Sequence, residues 1–397
     1  MSADALKVIS NPAPDSSIKG TSFVHVDFVL TGVVMTMLGP MLPLFSRQWL
    51  LNDTQAGYLF IAQWVTATVG MFFSGLLVQR YGYRITLIAG LVLTAVGLTG
   101  LAHANWALGL IFVCVYGAGT GVNTPAANLL IAEANPGKSA AALNLLNSSW
   151  GVGAMLCPFI VAAAQRSHRT SHFLYGMAAA LIALSVGLSL IHFKADKKQP
   201  STDEVPGRSS SIWSSRVVLV AALFFIYVGT ETSVGGWIAS YARRIDSDAK
   251  TLWAIMPSFF WGTMLVGRAL APVALRHIRA INLAACGVSL ASLGIVILLM
   301  ARTITVVMIG AGVAGLGMAS VFPINVSLLP HWFGNNTRRI SGAIFSVSNF
   351  GGAALAWLVG ALSSHFGSLR VGFLVPLFGA LSMLTFYLVQ KSSAAAA

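Results

Sequence analysis

Three acidic residues lie within or at the edges of long apolar stretches: Asp27, Glu133 and Glu231. A charged side chain deep in hydrocarbon costs about 3 kcal/mol or more unless it is paired or neutralised, so each asks for a role. Glu231 sits past the middle of its stretch, with no basic residue near it there. Away from water its carboxyl suits taking up and releasing a proton; the plain structural alternative is a neutral, hydrogen-bonded lock between two helices. Asp27 stands one helical turn before Thr31. It either faces a cavity or acts as a capping or interfacial acid paired with a loop arginine. Glu133 ends its stretch, where pairing with Arg84 or a similar loop cation gives it a structural role.

Amides are the second signal, since a buried Asn needs several partners. Asn123 shares a helix face with Tyr116, seven residues earlier, and Asn144, Asn147 and Ser148 share another. Asn325 and Asn349 offer comparable groups later in the chain. Any one of these is ordinarily a helix–helix hydrogen bond. As a set, they suit an uncharged, polyhydroxylated ligand. Trp253 and Trp261 are eight residues apart around Pro257. Trp253 suits a membrane edge, whereas Trp261 is placed deeper, where it can pack on the apolar face of a ring. Arg268 reads as a gate or loop ion pair. His25, His103, His277, His331 and His365 show no metal-ligand spacing, and Cys114, Cys157 and Cys286 read as small core residues within apolar segments. No phosphate-binding loop, zinc-protease motif or nucleophile elbow is present, so energy from ATP hydrolysis within the chain and enzymatic chemistry are not expected.

These side chains are carried by elements made for lipid. Of 397 residues, 56% are hydrophobic and only 9% charged, with a mean hydropathy of +0.78. A soluble chain of this length could not hide so much hydrocarbon. Spanning stretches are expected near 22–46, 54–79, 84–103, 105–133, 137–165, 170–193, 216–242, 250–273, 279–300, 304–329, 338–364 and 368–391. They do not alternate as barrel strands would, which predicts an all-α membrane protein of twelve helices. Residues 1–21 are expected to form a polar tail, 22–193 a six-helix bundle, 194–215 a charged central loop, and 216–397 a second six-helix bundle with a short tail.

The net charge of +13 is not a nucleic-acid signature, because the basic residues sit in short loops between apolar runs. With an even number of spans, sixteen of the 24 Lys and Arg residues fall on the face that carries both termini. The positive-inside rule then predicts cytoplasmic termini. The halves also echo each other. SSWGVGA at 148–154 aligns with SNFGGAA at 348–354. TGVVMTMLG at 31–39 aligns with VGTETSVGG at 228–236, which matches Gly32 to Gly229, Thr36 to Ser233 and Gly39 to Gly236. Such duplication is the geometry with which transporters rock around a central site.

The loop after the second span, Gly75-Leu-Leu-Val-Gln79-Arg80-Tyr-Gly82-Tyr83-Arg84, resembles the G-x-x-x-D-R-x-G-R-R signature of the major facilitator superfamily. Gln79 stands where the family has an acid, and Tyr83 where it has an arginine, so the charge latch assumed there is weakened. Glu133-Ala-Asn-Pro136-Gly-Lys138 and Gly153-Ala-Met-Leu-Cys157-Pro158 are also family-like, the latter a degenerate G-x-x-x-G-P element. The seventh span, from Tyr227 through Gly229, Glu231, Gly235, Gly236 and Trp237 to Tyr241, is similar to the fucose–proton symporter family and its sodium-dependent glucose-transporter-like relatives.

The resemblance implies two six-helix bundles, alternating access, and secondary active uptake of a neutral, hexose-like monosaccharide in an inner or plasma membrane. The coupling ion would be H+ or Na+, with no cofactor, no metal and no nucleic-acid partner, and the chain would work as a monomer. The alternatives are a proton-driven drug or metabolite exporter, or a membrane receptor or scaffold that moves nothing. Candidate substrate contacts are Asn123, Asn144, Asn147, Tyr227, Glu231, Trp261, Asn325 and Asn349. Glu231 and Asp27 are candidates for coupling, and Arg80, Arg84, Glu133 and Arg268 for gating.

Overall fold

The computed structural model describes residues 15–191, 214–246 and 251–396. Among them there is no strand. The central loop expected at 194–215 and the first part of the expected tail lie almost wholly outside the described residues. The first helix already begins at Asp15.

Fourteen helices build the described chain. α1 (Asp15–Thr36) and α2 (Leu38–Gln48) make the first span. It breaks at Met37 because Pro40, with no N–H, cannot bond the carbonyl one turn back. α3 (Asp53–Leu101) has 49 residues, which at 1.5 Å per residue would reach about 74 Å, more than twice a bilayer's hydrocarbon core. It is two spans joined at Gly82, whose φ of 81° and ψ of 173° no helix accommodates. α3 starts on a capping box in which Asn52 and Gln55 exchange side-chain-to-backbone bonds. α4 (Trp106–Ala134), α5 (Ser139–Arg166) and α6 (Thr170–Ser189) complete the first half.

The second half repeats the plan. It comprises α7 (Ser215–Ile245), α8 (Leu252–Ala274) and α9 (Ala280–Met300), then the broken tenth span, α10 (Ile304–Met318) with α11 (Val321–Phe333). α12 (Thr337–Phe366) and the last span, α13 (Leu369–Gly372) with α14 (Leu374–Ala396), finish it. Eleven helical stretches are long and apolar enough to cross a membrane, and dividing α3 at Gly82 makes twelve spans.

The echo in sequence is an echo in packing. In the first half, a side chain at Gly32 would drive into the Trp150 carbonyl of α5, and one at Gly153 would lie 2.0 Å from the Val29 carbonyl. In the second half, Gly229 faces α12 near the Gly351 carbonyl, and a side chain at Gly351 would lie 2.0 Å from the Phe225 carbonyl. The aligned pairs α1–α5 and α7–α12 therefore approach backbone to backbone in the same way. The two bundles are pseudo-symmetric.

Not every expected core residue is buried. Cys157 is buried and Cys114 partly so, but Cys286 faces outward on α9. In a membrane an outward position costs an apolar side chain nothing, so hydrophobicity alone cannot place it. Trp253 is buried rather than interfacial, with the Arg243 guanidinium 5.2 Å from its ring centre.

A side chain placed where two backbones touch has no rotamer that avoids the neighbour. Gly153→Val should destabilise the folded protein by about 1–3 kcal/mol. Gly176→Ala, on α6 with nothing within 4 Å of the added atom, should not lower stability. Thermal unfolding in detergent compares the two.

Candidate functional site

Between the halves lies a cavity walled by residues of both. The broken first span supplies Met35, Thr36, Leu38 and Gly39 to its wall; α3 supplies Phe60, Gln63 and Trp64, and α5 supplies Trp150. The second half contributes Glu231, Thr232, Gly235 and Gly236 from α7 and Trp261 from α8. The wall is thus aromatic, with a few polar groups set into it.

Most of the wall's polar groups are held by named partners. Gln63 donates through Nε2 to the Met35 carbonyl at 2.9 Å and accepts from the Tyr116 hydroxyl at 3.2 Å. Its amide thereby fixes the chain at the break in the first span. Thr36 donates to the Gly32 carbonyl at 2.8 Å. Glu231 is paired with Arg268, Nη2 to Oε1 at 3.5 Å, and the Trp150 and Trp261 rings meet edge to face 5.5 Å apart. Glu231 has no basic residue near it in its own helix, as expected, and finds its cation elsewhere. The partner of Glu231 comes from the next helix, and Arg268 turns to the cavity acid rather than to a loop.

The cavity is closed on the face away from the termini. There Asp53 forms an ion pair with Arg244 and accepts a hydrogen bond from Ser363, and the Thr54 N–H donates to Ser364 Oγ at 2.9 Å. Arg243 donates to the Pro43 carbonyl at 2.8 Å, and Arg166 to Thr251 Oγ1 at 2.7 Å. Nearer mid-depth, Ser258 donates to the Met155 carbonyl at 2.9 Å. Just above the cavity Gly39 lies against α7, where an added side chain would sit 2.8 Å from the Gly235 carbonyl. Towards the face with the termini, Asn144, Leu145 and Asn147 of α5 are exposed.

Of the expected substrate contacts, the structure brings Glu231 and Trp261 to the cavity. Asn123 is buried inside the first half, donating to Asp27 Oδ1 at 2.7 Å and to Thr31 Oγ1 at 3.3 Å. Tyr227 donates to the Met318 carbonyl at 3.2 Å, and Asn325 accepts from the Tyr387 hydroxyl at 2.6 Å, both inside the second half. Asn147 spends its amide on the Leu143 carbonyl of its own helix at 2.8 Å. Asn144 is exposed, and Asn349, half-buried on α12, does not line the cavity. Among the expected gating residues, Arg84 donates to the Ser189 carbonyl at 3.3 Å and makes no ion pair with Glu133, which is exposed. The Arg80 guanidinium lies 5.3 Å from the centre of the Tyr81 ring.

Phe60, Gln63, Trp64, Trp150, Thr36 and Thr232 escaped the sequence reading as site residues. Gln63 is a buried amide in an apolar span, the same signal that singled out the asparagines. Trp150 stands inside the echoed SSWGVGA segment.

The latch should yield to mutation. Asp53→Asn removes the charge that Arg244 meets, so a cysteine placed at Thr36 in a cysteine-free background should react several-fold faster with an impermeant maleimide added from the latch face. An unchanged labelling rate would assign the closure to packing alone.

Residues 28–304 match the family model described as Major Facilitator Superfamily. A glucose/galactose transporter of Brucella abortus is 25% identical over 88% of this chain and 89% of its own length. A mouse protein, sodium-dependent glucose transporter 1A, is 23% identical over 88% and 90%. Among solved structures, the fucose:proton symporter of E. coli superposes with a TM-score of 0.63 at 18% identity, covering 94% of this chain and 98% of that one. With a family model that matches well over half of its length, the chain belongs to the major facilitator superfamily, a family of membrane transporters rather than enzymes.

Proposed function

We propose that this protein imports a neutral, hexose-like monosaccharide by alternating access, coupled to a proton or sodium gradient, in the inner or plasma membrane. The observation that carries the reading is the cavity wall: the Phe60, Trp64, Trp150 and Trp261 rings surround a small polar set of Gln63, Thr36, Thr232 and the Glu231–Arg268 pair. Aromatic faces suit the C–H faces of a pyranose, while fixed amide, hydroxyl and carboxylate groups suit its hydroxyls. An acid whose charge is already met by Arg268 leaves the cavity without a free charge for an ionic substrate. The transport of hexoses by the Brucella and mouse relatives, as their names state, supports the same reading.

With both termini cytoplasmic, the latch face is the outer one. The loop charges support that orientation. A protein that fluoresces only in the cytoplasm should be bright when fused after Lys391. A dark, stably expressed fusion would invert the assignment.

Sugar binding is tested by titrating purified protein with D-glucose and other hexoses and following tryptophan fluorescence. Gln63→Ala or Thr232→Val should each weaken binding by about 1–3 kcal/mol, because a sugar hydroxyl loses its partner. Affinity unchanged in both variants would move the substrate out of this cavity.

Coupling divides the two intramembrane acids. Glu231 has a cationic neighbour, and Asp27 has only Asn123 and Thr31. Asp27→Asn should therefore abolish accumulation of sugar against its gradient while labelled-for-unlabelled exchange continues, since exchange needs no net ion movement. Concentrative uptake that survives in Asp27→Asn would return the coupling role to Glu231.

A further inference from the structure

We propose that Asp27, Asn123 and Thr31 form a sodium site buried inside the first half, apart from the central cavity. Asp27 is 0% exposed, Asn123 1% and Thr31 3%. Asp27 Oδ1 accepts from Asn123 Nδ2 at 2.7 Å and from Thr31 Oγ1 at 3.2 Å, and Asn123 Nδ2 also reaches Thr31 Oγ1 at 3.3 Å. These bonds use the donors of the cluster and leave two oxygens over. Asp27 Oδ2 and Asn123 Oδ1 are both buried and have no hydrogen-bond partner.

The chemistry of those two atoms sets them apart. The other buried side-chain atoms without partners among the described residues are nitrogens that donate, on Gln165, Arg268, Asn325 and Trp357, or hydroxyls that can do either, on Thr230 and Ser233. Only Asp27 Oδ2 and Asn123 Oδ1 are pure acceptors. They belong to side chains already joined by a short hydrogen bond. A buried acceptor left alone is costly, and a charged one more so. A sodium ion would satisfy both at once, because it brings a positive charge and no acceptor of its own.

Carboxylate, amide carbonyl and hydroxyl oxygens are the hard ligands that alkali and alkaline-earth cations take. One carboxylate balances one positive charge, which favours a monovalent ion. His25, two residues from Asp27, is turned to Ser149 Oγ at 2.8 Å. The placement also gives the ion a route to the substrate. It would tie α1 to α4, and the same span lends Met35 and Thr36 to the cavity wall.

This inference rests on the symport reading, and the test separates the two. Thermal unfolding of the purified full chain is followed in sodium chloride against choline chloride at constant ionic strength, each with and without D-glucose. A ligand that binds the folded state raises its melting temperature as it saturates. Sodium should give a saturable upward shift of a few degrees that choline does not. Asp27→Asn should lose the shift. Thr31→Val, which removes one oxygen and keeps the shape, should raise the half-saturating sodium concentration about tenfold, and it carries the test alone if Asp27→Asn does not fold. Gly176→Ala should keep the wild-type response. No sodium shift in the wild type, or equal shifts in the wild type, Asp27→Asn and Thr31→Val, would overturn the site. A glucose shift without a sodium shift sinks the cation site and leaves the sugar reading. A sodium shift with no response to any hexose does the reverse.

Discussion

Contact between glycine-faced backbones is the interaction on which the rest of this structure depends. In a bilayer no hydrophobic force drives one apolar helix onto another, because lipid tails solvate leucine as well as another helix does. What remains is close packing, and its strength grows as helix axes approach. Gly32 and Gly153 let α1 sink onto α5, and Gly229 and Gly351 do the same for α7 and α12. These pairs set the position of the two helices that carry most of the cavity wall. Gly39 against Gly235 repeats the device across the axis between the halves, where it closes the cavity on the latch face. The duplicated sequence thus encodes a duplicated distance between helices, and the cavity is the space left where the two copies meet.

Against that apolar frame the polar groups are few, and nearly all are spoken for. Gln63 shows the economy: one amide holds a backbone carbonyl at the break in the first span, is itself held by Tyr116, and still borders the cavity. Such double use makes a wall rigid without adding charges that lipid would penalise. The Glu231–Arg268 pair applies the same rule to ions. Removing either partner would strand a buried charge, so the pair is a fixed feature of the wall rather than a loose side chain.

The fold was legible in the sequence because membrane thickness imposes a length on every apolar run, and the helices follow the expected spans closely. The join at Gly82 was visible as a loop motif, although the chain there is helical on both sides with a single strained residue between them. The site was only partly legible. Glu231 and Trp261 stood out by type and depth, and both line the cavity. Asn123 stood out for the same reason but faces Asp27 inside its own bundle, because residue type reports that a buried amide needs partners and not which helix supplies them. Arg268 lies 37 positions from Glu231, and no spacing rule connects them. Trp64 and Trp150 look like any apolar tryptophan until the halves are brought together.

Alternating access requires two states close in free energy, a few kcal/mol apart at most, so that ligands can move the balance. The bonds that close the latch face suit that requirement. Arg244 is 46% exposed in its pair with Asp53, and ion pairs that wet contribute about 0–1 kcal/mol each. The accompanying bonds from Thr54, Arg243 and Arg166 each end on a single oxygen, where water can replace the protein partner as the halves separate. Inside each half the helices pack backbone to backbone, with added atoms at Gly32, Gly153 and Gly351 falling 2.0 to 2.1 Å from neighbouring carbonyls. Exchangeable polar contacts on the latch face therefore suit a joint between bundles that keep their own packing. A ligand that bridged α3, α5, α7 and α8 in the cavity would therefore act on the joint between the halves.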